Sequence, residues 1–142
     1  MNNSIRRENT PLYAFARVLL VVAALSPLGL LSTGTAEAAS QGTLNQYRAW
    51  MQDARRIYPY PQSVDKMYRV MMCESSGNPL ASGGGGAWLG LFQYAPTTWR
   101  GRWNPYRANS IWDARSQIYA TAKAWSIGMQ SHWSCYYYTP GR

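Results

Sequence analysis

From residue 43 onward the apolar positions fall three and four apart, and Leu44, Tyr47, Met51, Ala54 and Tyr58 line one face of a predicted helix. Thr43-Leu44-Asn45-Gln46 has capping-box spacing at its start, and Tyr58-Pro59-Tyr60-Pro61 stops it. Ser63 is placed to cap a second helix whose inward side carries Val64, Met67, Val70 and Met71. That pattern runs directly into Cys73-Glu74 before Ser75-Ser76-Gly77-Asn78-Pro79 ends it. A last long helix opens at Ser110, with Asp113 three residues on, and turns Ile111, Ala114, Ile118, Ala122 and Trp125 inward until a break near Gly128. Between Leu80 and Tyr106 no period holds. Four consecutive glycines, Gly83–Gly86, predict a loop there, and scattered Pro and Trp predict short turns. No alternating run is long enough for a sheet core. The predicted class is therefore mainly α, a small helical domain with an irregular or minor β element at the glycine loop.

Residues 1–38 read differently. They hold Arg6, Arg7 and Arg17, an apolar run over Val18–Leu31 and the small-residue pattern Thr35-Ala36-Glu37-Ala38-Ala39. This is the layout of a signal peptide cut after Ala38, and a run of about 14 apolar residues is shorter than the roughly 20 that span a bilayer. Glu8-Asn9-Thr10-Pro11 after the arginine pair does not support a twin-arginine route. The expected product is a secreted or cell-wall-associated domain over 39–142, not embedded in a membrane, and a monomer.

Splitting the chain there changes its composition. All seven tryptophans and ten of the eleven tyrosines lie after residue 39, and eleven Lys and Arg stand against four carboxylates, a net charge of +7. An anionic partner is expected. With no long Lys/Arg run and no recognisable nucleic-acid motif, an extracellular polyanion fits better than nucleic acid. The chain has two cysteines, Cys73 and Cys135, and in an exported protein they have one intramolecular pairing. A final helical turn would bring Cys135 to Cys73. With His132 the only histidine, no metal site and no cofactor are expected.

Four carboxylates can be weighed one by one. Glu74 follows Met71, Val70 and Met67 by three, four and seven residues, so a continued helix puts it on the apolar face. Desolvation and the negative end of a helix dipole both raise a carboxyl pKa, which suits a general acid. Asp113 has an N-terminal helix role, Asp53 and Asp65 fall on solvated faces, and His132 reads as an incidental or packing histidine. Trp88, Tyr94, Trp99, Trp103 and Tyr106 cluster in the aperiodic segment, where some rings must build the core and others are free to wall a groove for sugar rings.

Cys73-Glu74-Ser75-Ser76-Gly77-Asn78-Pro79, then Gly90-Leu91-Phe92-Gln93, then Pro96-Thr97-Thr98-Trp99 resembles the lysozyme-like superfamily. Within it the chain looks most like secreted soluble lytic transglycosylases and resuscitation-promoting factors, over roughly Val64 to Cys135. The resemblance implies a peptidoglycan-cleaving enzyme with Glu74 as its catalytic acid. It implies Ser75 near that acid, and a glycan groove lined by Gly90 and Gln93, with Tyr94 and Trp99 as further substrate-binding residues. Glu74 would protonate the β-1,4 glycosidic oxygen between N-acetylmuramic acid and N-acetylglucosamine. As carboxylate it would then take the C6 hydroxyl proton to close a 1,6-anhydro ring. A conventional glycosidase uses two carboxyls, and their scarcity here favours the lyase over a hydrolytic muramidase. A non-catalytic glycan-binding module on the same fold is the alternative of another class. The chain departs from the transglycosylase pattern at Gln117-Ile118 and Ala124-Trp125, where an Asn-Ile pair and a later Tyr are usual.

Overall fold

The computed structural model describes residues 39–141. The signal-peptide reading therefore lies outside the described residues. Those described are mainly helical: α1 spans Gln41–Ile57, α2 Val64–Ser75, α3 Pro96–Trp99, α4 Ala114–Ser126 and α5 Cys135–Tyr138. The one sheet is a two-stranded hairpin, β1 Ser82–Gly83 against β2 Trp88–Leu89, antiparallel, with Ser82 opposite Leu89 and Gly83 opposite Trp88. Gly84–Gly86 form its tip.

The caps are where the pattern and the structure part. Ser40, not Thr43, caps α1, its Oγ accepting from Thr43 N at 3.2 Å, so the helix begins at Gln41. Asp113 itself caps α4 by accepting from Ser116 N at 2.7 Å, so the helix begins three residues later than a cap at Ser110 would place it. Ser63 caps α2 as its spacing requires. At the other end of α2, Ser76 takes a left-handed conformation, φ 53°, and turns the chain out of the helix.

The helix α4 is the centre of the domain. From Ser116 to Trp125 only Lys123 is not buried, which explains why small Ala120, Ala122 and Ala124 alternate with large Tyr119 and Trp125. Its main partner is α1, which brings Tyr47, Met51 and Ala54; beside α1 lies α2, with Met67, Val70 and Met71. Aromatic rings fill the rest. Tyr94 meets Trp99 and Trp133 edge-on at 5.4 and 5.5 Å and stacks on Trp103 at 6.3 Å, and Trp125 lies edge-on to Tyr60 at 5.4 Å. Such contacts contribute about 1 kcal/mol each beyond area burial.

A disulfide joins Cys73 to Cys135 and ties the end of α2 to the start of α5. The same junction is held by a buried cation, for Lys66 Nζ donates to the carbonyls of Tyr136 (2.7 Å) and Thr139, and its ammonium lies 4.7 Å from the centre of the Tyr136 ring. Carbonyl oxygens replace water around a charge that is otherwise costly to bury.

Candidate functional site

Glu74 sits in the last turn of α2 because the apolar stripe of that helix carries it inward, and the chain leaves the helix directly after it. Its side chain is half-buried and lines a cleft of about 400 Å³ with Trp88, Gln93, His132, Trp133 and Ser134. Among the described residues no other carboxylate lines this cleft. Burial raises the Glu74 pKa above the ordinary carboxylate value, and the backbone N–H of Cys135, 3.4 Å from Oε1, offsets part of that rise. The cleft continues past Trp88, Gln93, His132 and Trp133 into a second hollow of about 220 Å³, walled further by Tyr94, Ala95, Thr98 and Met129. The result is an elongated groove with a protonatable carboxyl at one end, flanked by indoles.

The facing wall is the turn Gly90-Leu91-Phe92-Gln93, closed by the bridge between Leu89 and Tyr94. Several of its polar groups are held from different directions. Ser75 Oγ donates to Leu91 O at 2.9 Å, Trp133 Nε1 donates to Phe92 O at 2.8 Å, and Phe92 N donates to Gln117 Oε1 at 3.0 Å. Gln93 folds back on the turn, its Nε2 donating to Gly90 O at 2.9 Å and Ala81 O at 3.2 Å, with its backbone left-handed at φ 48°. Gly90 is required twice over: its φ is +77°, and a Cβ built there would overlap the Gln117 amide. The helices α2 and α4 and the segment before α5 thus hold one four-residue turn in place beside the carboxyl.

Of the residues expected from sequence, Glu74 and Gln93 line the cleft together. Ser75 does not reach the acid. Its hydroxyl is committed to Leu91 O and to Met71 O, so its part is to fix the turn. Gly90 is buried and makes room for Gln117. Tyr94 borders the second hollow, but its ring is only 2% exposed and its hydroxyl shares a hydrogen bond with Thr121 at 2.9 Å. Trp99, expected in the groove, is a core residue away from it, 3% exposed and donating to Asn109 O at 3.1 Å. An aromatic side chain with a satisfied polar tip is more stable inside, and these two are satisfied.

Reading by sequence missed His132, Trp133 and Ser134. His132, which its sequence surroundings present as an incidental or packing histidine, is exposed and lines both halves of the groove. The signal was available in Cys135: once it is tied to Cys73, the three residues before it must lie beside Glu74. Gln117 was noted only as a departure from a pattern, although it is fully buried and holds the turn. Among the described residues no group of three or more His, Cys, Asp or Glu is placed to hold a metal, and no helix is long and apolar enough to cross a membrane. No protein-family model, curated protein or solved structure matches the chain.

Proposed function

We propose that the protein is a secreted peptidoglycan-cleaving enzyme that uses Glu74 as a single acid and then base. The observation that carries this reading is the half-buried carboxyl of Glu74, with a raised pKa, in an aromatic groove that holds no second carboxylate among the described residues. A carboxyl that holds its proton more tightly than an ordinary carboxylate can deliver it to a glycosidic oxygen as the bond breaks. The carboxylate left behind can then accept the proton of a hydroxyl on the same sugar, so the ring closes on itself and water is not consumed. The order of motifs that resembles lytic transglycosylases supports the same assignment, as does Asp113, whose carboxylate is engaged at the start of α4. The exposed indole of Trp88 offers a face to a sugar ring, with Gln93 beside it for polar contact.

Digestion of purified peptidoglycan followed by mass spectrometry of the released muropeptides tests this. Products with 1,6-anhydromuramic ends support the lyase, and reducing ends assign a hydrolytic muramidase instead. No release by the folded protein overturns both. Glycan binding that persists in wild type and in Glu74→Gln, without cleavage by either, would assign a binding module.

A further inference from the structure

A second concavity, about 430 Å³, lies on the other side of the hairpin. Successive residues of a strand face opposite sides, and β2 uses both: Trp88 lines the Glu74 groove, while Leu89 lines the second concavity. Its walls include Pro96, Ile111 and Trp112, and two arginines, Arg100 and Arg107, border it. Both arginines are exposed.

Charge is segregated in this domain. Asp53 pairs with Arg56, and Asp65 pairs with Arg48 and Arg69, all on α1 and α2. Glu74 belongs to the groove, and Asp113 caps α4. Among the described residues no carboxylate stands within ion-pair distance of Arg100 or Arg107. Arg107 is steadied by donating to Asn104 O at 3.3 Å, a neutral partner that leaves its charge unbalanced. Beside them the indole of Trp112 is 36% exposed and, with Leu80, borders a shallow apolar hollow. Two unbalanced guanidinium forks next to an open indole match an oxyanion carried on a ring with an apolar face. The forks take the oxygens and the indole takes the ring.

We propose that Arg100, Arg107 and Trp112 form a second binding site for a phosphate- or carboxylate-bearing saccharide of an extracellular polymer. The site does not depend on catalysis by Glu74; its value as a tether that keeps the groove close to wall glycan rests on that reading.

Calorimetric titration of the protein at about 0.15 M salt, where general surface attraction is screened, tests it with three probes. They are a glucosylated poly(glycerol phosphate), polygalacturonate, and neutral chitotetraose. At least one polyanion should bind. Arg100→Gln and Arg107→Gln should each weaken that binding about tenfold, and Trp112→Ala should weaken it as well. Arg56→Gln removes the same charge elsewhere and should leave it unchanged. Binding of the phosphodiester alone assigns phosphate, binding of the uronate alone assigns carboxylate, and binding of both assigns the shared oxyanion chemistry. Equal losses from Arg56→Gln and Arg100→Gln would reduce the effect to net charge and overturn the site. So would the absence of polyanion binding, and full binding by Trp112→Ala would overturn the saccharide assignment. Polyanion binding by Glu74→Gln should equal that of wild type, and chitotetraose binding should be unaffected by the arginine variants. A protein that binds the polyanion but releases no muropeptides therefore refutes only the catalytic reading.

Discussion

The backbone N–H of Cys135 donates to Glu74 Oε1 across 3.4 Å, and the same residue is joined through sulfur to Cys73, the residue before Glu74. One residue thus holds the candidate acid covalently through its neighbour and electrostatically through its carboxylate. The staple and the proposed chemistry form one unit.

Removing the staple should therefore cost more than stability. Closing a loop with a sequence separation of 62 contributes about 4 kcal/mol in the chain-entropy model. Cys73→Ser with Cys135→Ser is expected to lower stability by about that much, measured by denaturant unfolding. At a temperature where the variant is still folded, muropeptide release should fall too, because Cys135 N is no longer held at Glu74. Undiminished release by the folded variant would separate the two roles.

Glu74→Gln keeps the side-chain shape and removes the charge. Because burial raises the Glu74 pKa, the folded state holds this proton more tightly than the unfolded chain. That contribution is fully present below the unfolded value, about 4.3, and is lost as pH rises through the folded value. At neutral pH the ionised carboxylate weighs against folding. The variant should therefore be at least as stable as wild type at pH 7, with the difference vanishing near pH 3 (about one unit below the unfolded value). Glycan release should drop by about a hundredfold or more, and the alkaline limb of the wild-type profile should lie above the ordinary carboxylate range. Thermal unfolding at the two pH values and a pH–rate profile check these signs.

The turn from Gly90 to Gln93 depends on Gln117. Gln117→Leu leaves the buried Phe92 N–H without an acceptor and should cost about 2 kcal/mol. Gly90→Ala must place a Cβ in the Gln117 amide at a left-handed backbone position and should cost about 3 kcal/mol or more. Denaturant midpoints measure both. An unchanged midpoint for Gly90→Ala would mean that the turn does not sit against α4 as described.

Tyr94→Phe separates packing from binding. Loss of the bond to Thr121 should reduce stability by about 1 kcal/mol, while KM for a soluble glycan stays at the wild-type value. Trp88→Ala should do the reverse, raising KM with little effect on the unfolding midpoint, since its indole is half exposed. A rise in KM for Tyr94→Phe would mean that the hydroxyl bonded to Thr121, and not packing alone, bears on the groove.

Much of the fold was legible because helices advertise themselves. The stripes through Met51, Met67 and Ile118 are buried as their spacing requires. Cap positions were less legible, since Ser40 and Thr43, or Ser110 and Asp113, satisfy the same local rule, and only the structure shows which side chain accepts the backbone N–H. The aperiodic segment could not be read locally at all. Its shape is set by Ser75, Gln117 and Trp133, whose hydrogen bonds reach 16, 25 and 41 positions along the chain. For the same reason aromatic composition alone could not sort Trp88, half exposed beside Glu74, from Tyr94 and Trp99 in the core.

The glycine tip of the hairpin bears on what this scaffold can become. A Cβ at Gly85 or Gly86 would meet nothing within 4 Å, while a few residues on, Trp88 lines the groove and Gln93 is held to the turn through Gly90 O. Insertions at Gly85-Gly86 would lengthen the hairpin outward without disturbing the turn beneath it. The reach of the groove along a polymer can therefore vary independently of the residues that hold its acid.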